Sequence, residues 1–350
     1  MRTTALALAI CIATPAVAER RKLDVPADKT WMHAATGLML RPVIADLQRT
    51  QIIDLEGAEN DISTQFQAAD GSTFLNVYIF HSPLPSAAVW FDRASLAIEK
   101  REVYGAAQPV ELPAAVTRPH ATAASGLKRQ YVPGKGPLRS TGLAMFPLND
   151  WLVAVRLSSE ALDSAELSAR LEKVIAQVGW PDKVDQTPTA KPIVACATPL
   201  KVSRAKLQKG DLTQAILAGA MATSANGAGK DKKKEDSTTN PSPPAQPQEW
   251  CRDGAGTVDF SVYRPTGSDN GYTLAIGDAG RIAVVEPNLL AALIGGRKGY
   301  SVSFHDVDGS VSSYPSFDRL PEPQQVITLI RTEQPIARTT GDNIAITMPK

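Results

Sequence analysis

The sequence predicts two folded units of different class. One is an α+β N-terminal domain, an antiparallel sheet with two helices. The other is a mainly β C-terminal domain with one or two short helices. Three observations carry this reading. Between residues 61 and 159, β-branched and aromatic runs alternate around turn residues. Leu167, Leu171, Val174, Ile175 and Val178 then form one apolar stripe at helical spacing. From residue 256 onward the chain is a series of short alternating runs broken at Gly, Asp and Asn.

The first unit spans 31–180, after an N-terminal extension at 19–30. "DISTQFQ" (61–67) and "TFLNVYIFHS" (73–82) flank Asp70-Gly71, a hairpin signal. "SAAVWFDRASLAIEKREVYG" (86–105) has helical spacing at Val89, Trp90, Ala94, Ala97 and Ile98. "GLKRQYV" (126–132), "STGLAMFPL" (140–148) and "DWLVAVRLSS" (150–159) read as an antiparallel set turning at Asn149-Asp150. Asp163 or Ser164 can cap the closing helix, and Gly179 stops it. Three prolines make 181–192 a linker.

The second unit, 193–350, begins at "IVACATPLKV". A helix is expected over 203–222, with Leu207, Ile216, Leu217 and Met221 as candidate buried positions. Strands follow in "GTVDFSVYRP" (256–265), "YTLAIGDAGRIAVVEP" (272–287), "YSVSFHDVDGSVSSYP" (300–315) and "IARTTGDNIAIT" (336–347). A Leu/Ala segment, "NLLAALIGG" (288–296), separates two of them.

The ends and the composition bear on compartment. Residues 1–18 read as a secretory signal peptide: Arg2, a short apolar run, and the small-x-small site Ala16-Val17-Ala18. The run is shorter than the roughly 20 apolar residues that span a bilayer, and no second run is longer. The mature protein is therefore expected outside the cytoplasm, most plainly in a periplasm. Lys plus Arg number 37 and Asp plus Glu 36. Loss of Arg2 with the leader balances them, which argues against nucleic acid as a partner. Of three cysteines, Cys11 leaves with the leader. Cys196 and Cys251 are then expected to form one disulfide.

Two stretches resemble known families. The order of elements over 31–180, with "WLVAVRLSS" leading into a terminal amphipathic helix, resembles the PsbP-like fold, which implies an α+β sandwich. "RIAVVEPNLLAALIGGRKGYSVSFHDVDG" (281–309) is similar to the invasion-associated locus B family, which implies a secreted β-sandwich.

The segment 223–249 is expected to be a disordered insertion, because it is charged, proline-broken and almost free of apolar residues. A Cys196–Cys251 bond would clamp its two ends. The simplest account is a tolerated insertion, since long surface loops cost little. The alternative is an arm whose Lys230, Lys232, Lys233 and Lys234 dock on an envelope protein or an anionic surface.

Several constellations invite a catalytic reading. Ser203 and Lys206 form an SxxK, and Ser268-Asp269-Asn270 an SDN, the order found in penicillin-binding proteins and class A β-lactamases. There the serine is the acylated nucleophile and the lysine helps activate it. No KTG follows, and "RPTGSDNGY" reads as a turn between strands. Asp306-Val307-Asp308-Gly309 starts like a calcium loop but lacks the closing glutamate, so a hairpin turn is preferred. His33, His81, His120 and His305 are isolated in sequence, so neither metal nor cofactor is expected. His305 beside Asp306 is no acid/base pair, since strand neighbours face opposite ways. The sequence thus favours a non-enzymatic binding or adaptor protein. The alternatives are a serine acyl-enzyme using Ser203 and Lys206, and a small-ligand carrier with a site between the domains.

Overall fold

The computed structural model describes residues 20–185, 187–208, 248–288, 299–341 and 343–347. In the first unit, the chain begins with β1 (Arg21–Lys22), β2 (Trp31–Met32), β3 (Met39–Leu40), β4 (Val43–Ile44) and β5 (Leu47–Asp54). It continues through β6 (Asp61–Gln67), β7 (Thr73–His81), α1 (Ala87–Lys100), β8 (Gln108–Pro109) and β9 (Ala114–Val116). β10 (Gly126–Val132), β11 (Ser140–Leu148), β12 (Trp151–Ser159) and α2 (Ser164–Gln177) complete it. Ten of these strands form one sheet, ordered β1-β5-β6-β7-β12-β11-β10-β8, with β4 on β5 and β9 on β10.

The second unit holds β13 (Val194–Ala195), β14 (Trp250–Asp253), β15 (Phe260–Pro265), β16 (Tyr272–Ile276) and β17 (Arg281–Pro287). After these come β18 (Tyr300–His305), β19 (Val311–Phe317), α3 (Pro323–Thr332), β20 (Ala337–Thr340) and β21 (Asn343–Ile346). Its nine strands pair in chain order. The sheet is mixed, because β13 runs parallel to β14. The protein is therefore mostly β, with three α-helices among the described residues. The first unit departs from the expected α+β balance: its two helices rest on a large sheet. The expected 19–30 extension is part of that sheet, since Arg21 and Lys22 pair with Asp54 and Ile53.

Strand alternation sorts the apolar residues into three cores. On β11 and β12, Phe146, Val153 and Val155 point to one face, where Leu167, Leu171, Val174 and Ile175 of α2 cover them. Leu143, Met145 and Leu152 point to the other face and meet Val89, Trp90 and Ile98 of α1. That same cluster contains Tyr263, Ala275 and Ile282 of the second sheet. The next residues along, Val262, Leu274 and Ala283, face away and pack against Val326, Ile327 and Leu329 of α3. The layers thus run α2, first sheet, α1, second sheet, α3. α1 is buried nearly all round, as a helix between two sheets must be.

Caps set the helix starts. Ser86 accepts the Val89 N–H. Asp163 and Glu166 form a capping box, satisfying two amides that would otherwise lack partners. Glu322 and Gln325 do the same for α3, with Pro323 in the first turn. This helix was not anticipated from the sequence. The helix expected from Ser203 is not found in its described part. Residues 203–208 are extended, and Leu207, 44% exposed, bridges to Phe317. The segment is strapped down by Gln208 N–H to Ser316 O at 2.8 Å and by Asp318 N–H to Lys206 O at 3.0 Å. Residues 209–222 and most of 288–296 lie outside the described residues. So do 223–247 and the expected leader, 1–18.

Cys196 and Cys251 are joined by a disulfide, Cα to Cα 4.9 Å. It reinforces the short β13–β14 pairing, where Val194 sits opposite Cys251. Gln248 and Glu249, the last residues of the expected disordered insertion, are ordered. Glu249 O accepts from Thr266 N–H at 2.9 Å, and its carboxylate meets Lys191 Nζ at 2.6 Å. The sheet edge extends its hydrogen bonding past the strand. Replacing both cysteines by serine should lower stability by about 4 kcal/mol on the chain-entropy account. Urea unfolding of oxidised, reduced and substituted protein measures this, and no difference between oxidised and reduced forms would contradict it.

Candidate functional site

The most chemically elaborate region is the seam between the sheets, built outward from α1. Asp92 and Arg93 interrupt its apolar sequence. Arg93 is fully buried. Its Nε donates to Gly277 O at 2.9 Å, Nη1 to Thr257 O and Ser261 Oγ at 2.9 Å each, and Nη2 to Val258 O at 2.8 Å. Burial lowers its pKa, yet a guanidinium keeps its proton. The cation is therefore held by carbonyl dipoles of the second sheet. Asp92 beside it accepts from Arg252 Nη1 at 2.5 Å and from Tyr263 OH at 2.6 Å. Burial first, and then the Asp92 charge, push the Tyr263 phenol well up, so it stays a neutral donor.

A second set of contacts lies at the end of β7. His81 Nδ1 donates to Val307 O at 3.2 Å, and Ser82 Oγ to Gly280 O at 3.2 Å. Gly280 has φ +92°, and a Cβ there would stand 2.7 Å from His81 O and 2.8 Å from Val307 Cγ1. Only glycine permits both the turn and this approach. Arg281 Nε pairs with Asp306 at 3.0 Å, and its Nη2 pairs with Glu56 across the seam. Asp61 lies near this network, buried, and among the described residues its Oδ1 has no hydrogen-bond partner. Burial pushes its carboxyl up to about 7; Arg281 works against that, while Glu56, Asp278 and Asp54 add to it.

Trp151 stands between two histidines, its ring 4.6 Å from His33 and 5.3 Å from His81. His33 is fully buried, its Nε2 donating to Glu59 O at 3.0 Å and its Nδ1 accepting from Thr36 Oγ1 at 2.9 Å. Desolvation lowers its pKa, which keeps it neutral and structural.

The residues singled out from the sequence fall elsewhere. Ser203 and Lys206 are exposed on the strap along residues 316–325. Ser203 N–H donates to Leu320 O at 3.3 Å and Lys206 N–H to Asp318 Oδ1 at 2.8 Å. Ser268 and Asn270 occupy the turn between β15 and β16, where Ser268 Oγ donates to Asn270 Oδ1 at 3.2 Å. Among the described residues no hydrogen bond brings the two motifs together. Asp306–Gly309 closes a hairpin by Gly309 N–H to Asp306 O at 3.1 Å. Asp306 faces Arg281, and Asp308 faces Arg338 at 3.6 Å. His305 pairs through Nε2 with Ser303 Oγ at 2.9 Å, and burial pushes its pKa down to about 4. The lysines Lys230, Lys232, Lys233 and Lys234 lie outside the described residues. Among those described, no group of three metal-ligating side chains converges, and no helix is long and apolar enough to cross a membrane. A groove of about 270 Å³ runs beside α2, lined by Asp46, Glu166, Arg170 and Lys173 among others.

The seam residues were missed in the sequence. The available signal was the Asp92-Arg93 pair inside "AAVWFDRASLAI", where charge interrupts a helix apolar on nearly every side. Comparison with protein-family models, curated proteins and solved structures finds no match for the chain.

Arg93→Ala leaves buried carbonyls without donors and should cost at least about 3 kcal/mol in urea unfolding. Arg93→Lys should restore only part, since an ammonium cannot span four acceptors. Asp61 gives a pH signature. Its folded pKa lies above the ordinary 3.8. Its stabilising contribution is therefore whole below about pH 4 and lost as pH rises to about 7, at roughly 1.4 kcal/mol per pH unit at most. Asp61→Asn should flatten the loss of stability between about pH 4 and 7; an unchanged slope would contradict the assignment.

Proposed function

We propose that the chain is a non-enzymatic binding or adaptor protein of an oxidising compartment outside the cytoplasm, a periplasm in the bacterial case. Its fused sheets form a rigid platform, and the arm bearing Lys230, Lys232, Lys233 and Lys234 docks it on an anionic envelope surface. The observation that carries this reading is the Cys196–Cys251 bond. It belongs to an oxidising environment, and it anchors both ends of the arm-bearing segment at one sheet edge. The exposed, strapped position of Ser203 and Lys206 favours binding over acyl transfer.

Co-sedimentation with vesicles of phosphatidylglycerol and phosphatidylethanolamine at about 0.1 M salt tests the arm. The protein from residue 19 onward should pellet with the vesicles, and a form lacking 227–248 should remain in solution. Equal behaviour of the two forms would remove the arm from the account. Intact mass after incubation with a penicillin should be unchanged; an adduct on Ser203 would replace this reading with the acyl-enzyme.

A further inference from the structure

A sheet leaves a row of backbone N–H and C=O groups open at each end strand, and such an edge pairs with another chain unless something blunts it. Three of the four end strands of the two large sheets are blunted. β1 is Arg21–Lys22, two cations. β8 contains Pro109. β13 has two residues and begins just after Pro192. β21, the last strand of the second sheet, is different. Asn343, Ile344, Ala345 and Ile346 include neither charge nor proline, and all of them are exposed. Among the described residues no strand lies outside β21.

β21 pairs with β20 so that Ala337 lies opposite Ile346 and Thr339 opposite Ile344. Ile344 and Ile346, 45% and 40% exposed, therefore share the face of two buried residues. Thr347 N–H donates inward to Ile336 O at 2.9 Å. Backbone groups alternate along a strand, so Asn343, Ala345 and Thr347 bond to β20, whereas Ile344 and Ile346 turn their N–H and C=O outward. The residues that expose apolar side chains thus also expose the free backbone. The sequence has the same character read either way from Ala345: an isoleucine on each side, then an uncharged polar residue, Asn343 or Thr347.

We propose that β21 pairs with β21 of a second copy of this chain, antiparallel about a two-fold axis at Ala345, so that two second sheets join edge to edge. A two-fold interface must be self-complementary, and this segment is. Ile344 falls opposite Ile346 of the partner subunit and exchanges both hydrogen bonds with it. Ile346 does the same with the partner's Ile344. The isoleucines then form one apolar stripe across both strands, continuing the face of Ala337 and Thr339. Ala345 meets its own copy at the close, non-hydrogen-bonded position, where a small side chain fits. Arg338 lies one strand further back, opposite Ala345, and faces Asp308, so the paired strands oppose no like charges. So short a contact makes a weak, concentration-dependent dimer. The pairing does not depend on the lysine arm or on the surface it docks on.

Sedimentation velocity of the protein from residue 19 onward, from micromolar to sub-millimolar concentration, reads the pairing. The weight-average mass should rise from monomer towards dimer. Ile346→Pro removes an outward N–H and leaves the bonds to β20 intact, at a position where an edge strand admits proline. It should keep the wild-type Tm and weaken dimerisation at least about tenfold, because the donor is lost from both copies. Ala345→Cys tests the axis, since Cα atoms of the close pair stand about 4.5 Å apart, within reach of a disulfide. Mild oxidation should yield a covalent dimer of this variant and none of Thr340→Cys, which alters an exposed residue of β20. A monomer at every concentration overturns the proposal and leaves the edge to a strand of a different protein. A dimer that Ile346→Pro does not weaken also overturns it, as does equal cross-linking of the two cysteine variants. Should Ile346→Pro fail to fold, the Ala345→Cys cross-link decides: its formation supports the pairing and its absence overturns it.

Discussion

The architecture depends on one buried cation. Arg93 of α1 is held by three backbone carbonyls and one hydroxyl of the second sheet. A guanidinium cannot leave water unless its donors are met, and the acceptors here lie on the segment before β15, on β15 itself and on the turn after β16. The first sheet's helix is therefore fixed to the second sheet at a defined place and angle. Apolar packing between Trp90, Tyr263, Ala275 and Ile282 adds area around that point but little direction, because hydrophobic contact is non-directional. The polar contacts decide which of many apolar dockings is occupied.

Two further devices extend the same logic. Gly280 lets the β16–β17 turn approach the end of β7 closely enough for His81 and Ser82 to donate to second-sheet carbonyls. Arg281 ties Glu56 of the first unit to Asp306 of the second. The seam thus has an apolar centre with hydrogen-bonded charge at its margins. Asp61 is the exception, a buried carboxyl with an orphan oxygen. On the same α1-facing side of the first sheet, Arg156 Nη2 likewise has no hydrogen-bond partner among the described residues. Groups this costly are retained in natural proteins chiefly where they serve a function or a specific arrangement.

The disulfide acts on a different part of the molecule. β13 has two residues and both are exposed, so its parallel pairing with β14 needs support. The Cys196–Cys251 bond supplies it. Arg264 completes the junction through Asp253 at 3.1 Å and through carbonyls of Thr198 and Ser268. The SDN turn meets this junction through Ser268 O, whereas the strap carrying Ser203 runs along residues 316–325 at β19.

Local periodicity alone determined much of the fold. β6, β10 and β11 have the bounds read from alternation, and α2 begins at the cap read from Asp163, because these elements bury one face and their neighbours in sequence supply the turns. Pairing of Cys196 with Cys251 followed from counting. Elements whose reasons lie far away in the chain were not legible. The 203–208 strap is extended because residues 316–325 offer it hydrogen bonds, and helical spacing cannot reveal a partner more than a hundred residues distant. α3 was hidden by its proline-rich start, although Pro323 in a first turn is compatible with a helix. The seam is the clearest case. Asp92 and Arg93 look like an exposed pair on an amphipathic helix until a second sheet covers that face. Tertiary contact alone converts a solvated charge into the constraint that joins the two halves, since the cost and the compensation of burying it exist only when both are in place.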